Sequence, residues 1–167
     1  MRTPFVPIDF TAPAQAALGE YLLHAISTDD TTEDVQVLTT NAAAIVQQRG
    51  GSNDTTKWPH TCSFEEDLND LAWLQVCASN NQLFSYILRD TAGTYVGCIY
   101  IYPIELFYSQ LAKDYDVDFS FWVTQSTYDA GEYEPIFTAL LSWLHESWPF
   151  DPHRVYLRNL EIPESLR

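Results

Sequence analysis

The sequence predicts an α+β domain in which helices flank a mixed, mostly antiparallel β-sheet. Two stretches rich in aromatic and β-branched residues surround a short glycine-containing turn, which is typical of a β-hairpin. The segment DVDFSFWVT at 116–124 alternates apolar and other residues, as a half-buried strand does. Three further stretches place apolar residues at helical spacing. The predicted order of elements is β-α-α-β-β-β-α-β over a single domain, residues 1–167.

The N-terminal third predicts a lead-in, a strand and a helix. Several prolines among residues 1–18 indicate an extended lead-in that drapes over the body. The run from Glu20 to Ser27 fits a strand or a short helix by periodicity alone, and the turn that follows favours the strand. Residues 34–49 predict one helix that ends before Gly50. Residues 52–61 read as a polar loop.

The middle of the chain carries the best local signals. Ser63 and Glu66 form the pattern of a capping box, which predicts a helix from this point to about Ala78. The hairpin strands are predicted at Leu83–Asp90 and Tyr95–Pro103, because both are rich in aromatic and β-branched residues.

The C-terminal part predicts a strand, a helix and a last strand. In the alternating strand, Asp118, Ser120 and Trp122 are expected to form the polar, solvent-facing side. A third helix is predicted from about Pro135 to Ser147, since proline is tolerated in a first turn. Val155–Arg158 is a final short strand, and residues 160–167 are a tail.

Composition excludes several classes of partner. The chain has 8 Lys and Arg against 23 Asp and Glu, a formal net charge of −15. Nucleic acids and anionic membranes are bound through dense basic residues, so neither is an expected partner. The negative field favours cationic small molecules or a basic partner, or the excess acid serves solubility. Histidines and cysteines lack ligand spacing, which predicts no metal site, and the absence of targeting signals favours a cytoplasmic protein with reduced thiols.

The order of elements and the segment 116–141 resemble the GNAT superfamily of N-acetyltransferases. The signature of that family runs from its fourth strand into its third helix, roughly V-x-P-x-x-[RQ]-x-x-G-x-[GA]. Here Val123 and Gly131 keep the expected residue types without a gap, and Tyr128 stands at the place of the Arg or Gln. In the hairpin, Gly97 of YVGCIYIYP holds the glycine position of the second and third strands of the family.

The resemblance implies an acetyl-CoA-dependent enzyme that transfers an acetyl group directly to a small, cationic amine. In this family the loop before the third helix binds the pyrophosphate of CoA with backbone amides, as helix N-termini bind anions generally. The corresponding amides here are those of Tyr128, Asp129, Ala130, Gly131, Glu132 and Tyr133. The backbone of Trp122, Val123 and Thr124 would pair with the pantetheine arm.

Candidate catalytic residues follow from the needs of acetyl transfer. The amine must lose a proton and the leaving thiolate must gain one. Asp118 is the first candidate for the base and Glu105 the second, either acting through a water molecule. Tyr156 or Tyr128 is the candidate acid.

The charges near the loop support a second hypothesis from another class. Asp129, Glu132 and Glu134 would stabilise the start of the third helix, and the same charges would repel a bound pyrophosphate. The alternative is therefore a catalytically inactive GNAT-like binding or regulatory domain. A homodimer through an exposed sheet edge is the candidate assembly.

Overall fold

A computed structural model describes residues 4–51 and 57–167, so part of the predicted polar loop lies outside the described residues. One six-stranded sheet has the strands in chain order, and every neighbouring pair is antiparallel except the last, which is parallel. The strands are β1 (Gln15–Leu18), β2 (Tyr21–Ala25), β3 (Phe84–Arg89), β4 (Tyr95–Pro103), β5 (Val117–Val123) and β6 (Val155–Leu157). The helices are α1 (Thr31–Thr40), α2 (Ala42–Arg49), α3 (Phe64–Ser79), α4 (Gln125–Asp129) and α5 (Tyr133–Ser147). The predicted mixed α+β fold is confirmed.

Three elements differ from the prediction. The end of the lead-in forms β1, which pairs with β2 at one edge of the sheet. The single helix predicted over 34–49 is two helices, because Asn41 leaves helical geometry and donates from its side chain to the carbonyl of Val37. The side-chain oxygen of Asn41 accepts a 2.8 Å hydrogen bond from the amide of Gln125, so the break anchors the chain after β5. The loop after β5 contains the short helix α4.

Strand β5 is buried on both faces, and the prediction of a half-buried strand was wrong. Phe119 and Phe121 belong to a core against α5. Trp122 belongs to a second core on the opposite face, beneath α1, α2 and α3. Asp118 and Ser120 are each 1% exposed, because the helices cover the face that the alternation predicted to be solvated. In the part of the chain that the structure describes, none of the helices is long and apolar enough to cross a membrane.

Candidate functional site

The parallel pair β5 and β6 opens at one end. Their register runs from Val117 opposite Val155 to Phe119 opposite Leu157, and the ladder stops there. Beyond this point the edge of β5 continues to Val123, and none of the described residues forms a strand that faces it. We call the gap along this edge the β5–β6 cleft. The resemblance predicts that a pantetheine arm would pair with the backbone here.

Two side chains of the protein form hydrogen bonds with the backbone groups of β5 that face this cleft. Asn159 accepts from the amide of Phe121 at 3.1 Å and donates to its carbonyl at 3.0 Å. Gln48 accepts from the amide of Val123 at 2.8 Å and donates to its carbonyl at 3.0 Å. Both are buried, Asn159 at 4% and Gln48 at 1% exposure. The two carboxamides thus complete the edge of β5 as a further strand would.

The segment after β6 closes the cleft from outside. The amides of Leu160 and Glu161 both donate to the main-chain carbonyl of Gln48, at 2.9 and 3.1 Å. The hydroxyl of Tyr133 donates to the carbonyl of Glu161 at 2.6 Å, and Tyr128 donates to the Glu161 carboxylate. The segment predicted to be a tail is therefore bonded to both α2 and the start of α5.

The amides predicted to bind pyrophosphate are largely engaged within the chain. Tyr128 donates to the carbonyl of Thr124, Ala130 to that of Ser126, Gly131 to that of Tyr128 and Glu132 to that of Thr127, all at 2.9–3.2 Å. These amides are not free to bind a ligand, because helix α4 and the turn after it use them in hydrogen bonds within the chain.

Charge around the same turn is acidic. Glu132 accepts from the hydroxyl of Tyr21, and Glu134 accepts from Ser165. Burial, together with the hydrogen bond to Glu132, raises the pKa of Tyr21 to about 12. A groove of about 730 Å³ beside α4 is lined by Asp90, Asp129 and Glu132, with no Lys or Arg among its described lining residues. A pyrophosphate needs free hydrogen-bond donors or cations, and the described residues of this turn offer few of either. Together with the carboxamides that occupy the edge of β5, this means that the residues present do not fit acetyl-CoA in the β5–β6 cleft. The contacts predicted for residues 122–124 and 128–133 stay a prediction.

Gly131 has a structural role in this turn. Its φ is +80°, a conformation that strongly favours glycine, and a Cβ placed there would meet nothing within 4 Å. We expect Gly131→Ala to lower the free energy of unfolding by about 1 kcal/mol through backbone strain alone. Urea unfolding checks this, with Ala130→Ser as the neighbouring control. No loss of stability in Gly131→Ala would contradict the strain argument.

The structure places two of the predicted catalytic residues side by side on adjacent strands. Asp118 and Tyr156 are register partners on β5 and β6. Burial raises the pKa of Asp118, and a carboxylate oxygen lies 3.4 Å from a guanidinium nitrogen of Arg158. Glu105 is exposed in a short 3₁₀ helix after β4. Their catalytic roles stay a prediction.

A second site lies on the opposite face of the sheet from α5. A cavity of about 640 Å³ separates β4 from helices α1 and α3, within the size range of small-molecule sites. We call it the central cavity. Its lining includes Asp34, Arg49, Trp58, Asp67, Tyr100 and Arg158.

One end of the central cavity holds a carboxyl pair. The hydroxyl of Tyr95 donates to Asp34, and the Asp34 and Asp67 carboxyl groups are close enough for each to shift the pKa of the other. Burial, with the nearby Asp34 carboxylate, raises the pKa of Asp67 to about 8. The Oδ2 atom of Asp67 is buried and has no hydrogen-bond partner among the described residues.

The other end holds two arginines. Arg49 is 7% exposed, donates to Ser120 at 3.0 Å, and lies with its guanidinium 4.5 Å from the ring centre of Tyr100. None of the described residues forms a salt bridge with Arg49, and burial lowers its pKa. Arg158 packs against the rings of Phe107 and Tyr108 and has Asp118 as its ionic partner.

The residues that define the β5–β6 cleft and the central cavity were not predicted from the sequence. Gln48, Arg49 and Asp34 lie on a segment read only as an amphipathic helix, and Asp67 lay inside the predicted capping helix. The sequence offered one signal for such residues, a polar residue on the apolar side of a helical pattern. Asp67, directly before Leu68, is an example. Among the described residues, no group of three or more His, Cys, Asp or Glu side chains is placed to hold a metal ion.

Comparisons with known proteins place the fold. No family model and no curated protein matches the sequence. Among solved structures, a ribosomal-protein-S5-alanine acetyltransferase from Vibrio fischeri superposes with a TM-score of 0.57 at 10% identity, covering 80% of this chain and 68% of that chain. A ribosomal L7/L12 acetyltransferase, RimL, in complex with coenzyme A gives 0.57 at 16% identity, covering 78% and 67%. A Vibrio cholerae spermidine N-acetyltransferase in complex with CoA and spermine gives 0.52 at 12%, covering 74% and 63%. The chain has the GNAT fold, and these neighbours act on proteins and on a polyamine.

Proposed function

We propose that this chain, which has the fold of GNAT N-acetyltransferases, is a binding domain that takes a small molecule in the central cavity. One observation carries the proposal: Gln48 and Asn159 occupy the edge of β5 that a pantetheine arm would need. The central cavity, by contrast, offers room and charged groups whose partners are missing among the described residues. A cytoplasmic location is part of the same proposal, supported by three free cysteines.

Acetyl-CoA-dependent transfer to a small cationic amine is the second candidate. The pairing of Asp118 with Tyr156 across β5 and β6 favours it, since these are a candidate base and a candidate acid. The carboxyl groups of the central cavity would also suit an amine. For this function, the side chains of Gln48 and Asn159 would have to leave the β5–β6 cleft.

Calorimetric titration with acetyl-CoA at low salt separates the two candidates. We expect no saturable binding up to about 1 mM, a ceiling that corresponds to about −4 kcal/mol. The control is free CoA, which presents the same pyrophosphate without the acetyl group. Micromolar binding of acetyl-CoA, followed by thiol release with an amine, would overturn the binding-domain proposal in favour of the enzyme.

A further inference from the structure

Two buried groups of opposite charge face the central cavity without a salt bridge to any described residue. Arg49 is 7% exposed and forms no salt bridge with a described residue, although Asp118 acts on it electrostatically. Asp67 is 1% exposed, and its Oδ2 atom has no hydrogen-bond partner among the residues that the structure describes. A buried charge or polar atom without a partner is costly, so such groups commonly mark a place where a ligand supplies the partner.

The two groups are too far apart to serve each other. Asp34 is bonded to Tyr95 and acts electrostatically on Cys98, which places the carboxyl pair at the Cys98 level of β4. Arg49 lies over Tyr100, and Asp118, the partner of Arg158, is the register partner of Tyr102. At about 3.3 Å per residue, the strand rises about 7 Å from Cys98 to Tyr100 and about 13 Å from Cys98 to Tyr102.

We propose that the central cavity binds an elongated zwitterion, with an ammonium group at Asp34 and Asp67 and a carboxylate at Arg49. This inference deepens the proposed binding function, on which it rests, by naming the ligand class. An ammonium ion is a donor that suits the open oxygen of Asp67, and a guanidinium fork suits a carboxylate. The two charges of the ligand are about 10 Å apart. This length lies between the rise of β4 from Cys98 to Tyr100 and its rise from Cys98 to Tyr102.

Charge counting favours one charge at each end. Burial and the neighbouring Asp34 raise the pKa of Asp67 to about 8, so at neutral pH the two carboxyl groups share one proton and carry about one negative charge. At the other end the Asp118 carboxylate acts on both Arg158 and Arg49, so these three side chains together carry one positive charge. A monovalent carboxylate matches that charge better than a doubly charged phosphate. The apolar lining residues Ile26, Leu71 and Leu74 offer contacts for the hydrocarbon chain of the ligand.

Calorimetry with three matched probes tests the ligand class on the full chain. The probes are 8-aminooctanoate, whose charged ends are about 10 Å apart when extended, and the single-ended octanoate and octylamine. We expect 8-aminooctanoate to bind about 10- to 100-fold more tightly than either single-ended probe, because each charged end adds charge-assisted hydrogen bonds.

Variants of Arg49 locate the carboxylate. Arg49→Met is expected to weaken 8-aminooctanoate by about 10- to 100-fold and to leave octylamine unchanged. Arg49→Lys keeps the charge and serves as the second variant if Arg49→Met does not fold. Arg154→Met is the matched control, because Arg154 pairs with Asp116 at the surface and lies outside the described lining of the cavity.

The outcomes separate this inference from the proposed function. Equal affinity for 8-aminooctanoate and octylamine, equal affinity for 8-aminooctanoate and octanoate, or no binding of any probe would each overturn the zwitterion. Loss of binding in Arg154→Met equal to that in Arg49→Met would overturn the placement of the carboxylate. Micromolar acetyl-CoA binding would instead overturn the binding-domain proposal, and it leaves the ranking of the three probes as an independent result.

Discussion

Replacement of Gln48 by alanine is expected to lower the free energy of unfolding by about 2–4 kcal/mol, because it leaves two buried backbone groups without a partner. The Gln48 carboxamide makes both hydrogen bonds to Val123, and the site is 1% exposed. An unsatisfied buried donor or acceptor costs about 1–3 kcal/mol, and the lost side chain also leaves a void. Urea unfolding of the variant measures the loss.

The neighbouring glutamine provides a matched control. Gln47 is exposed, and its side chain makes one 3.5 Å hydrogen bond to Glu161. Gln47→Ala should change stability by less than about 0.5 kcal/mol. If Gln48→Ala and Gln47→Ala unfold at the same urea concentration, Gln48 does not hold the edge of β5, and the argument for a closed cleft loses its main support.

The fold was predictable because its elements carry local signals. The capping box at Ser63 marked the start of α3 correctly, and its side chain accepts from the amide of Glu66 as the pattern predicts. The hairpin of β3 and β4 followed from β-branched and aromatic content. The break at Asn41 was not predictable, because it depends on a tertiary hydrogen bond to Gln125, 84 residues further along the chain.

The closure of the β5–β6 cleft could not be predicted from the sequence either, because it also depends on tertiary hydrogen bonds. A glutamine near the end of a helix and an asparagine after a strand are ordinary surface residues in a sequence. Their roles arise only when the fold places Gln48 beside Val123 and Asn159 beside Phe121. The acidic residues of the loop were visible in the sequence, and their repulsion of pyrophosphate stays a prediction. Helix α4, whose hydrogen bonds use the amides of this loop, was not predicted.

Stability is expected to fall as the pH rises from about 5 to about 8, and Asp67→Asn should remove most of that fall. The pKa of Asp67 is raised to about 8 in the folded chain, by burial and by Asp34 and Asp70, against about 3.9 in an unfolded chain. Between these values the folded state binds one more proton than the unfolded state. The stabilisation is therefore complete below about pH 4 and is lost as the pH rises through about 8, with a slope of at most about 1.4 kcal/mol per pH unit.

Asparagine at position 67 cannot ionise, so the free energy of unfolding of Asp67→Asn should vary less over this range than that of the wild type. Urea unfolding at pH 5, 6, 7 and 8 gives the two slopes. Glu65→Gln is the matched control, because it removes an exposed carboxylate from the same helix and should keep the wild-type slope. Equal slopes in the wild type and Asp67→Asn would mean that Asp67 is ionised in the folded chain at neutral pH. The proton that the pair shares would then lie on Asp34, whose pKa burial also raises.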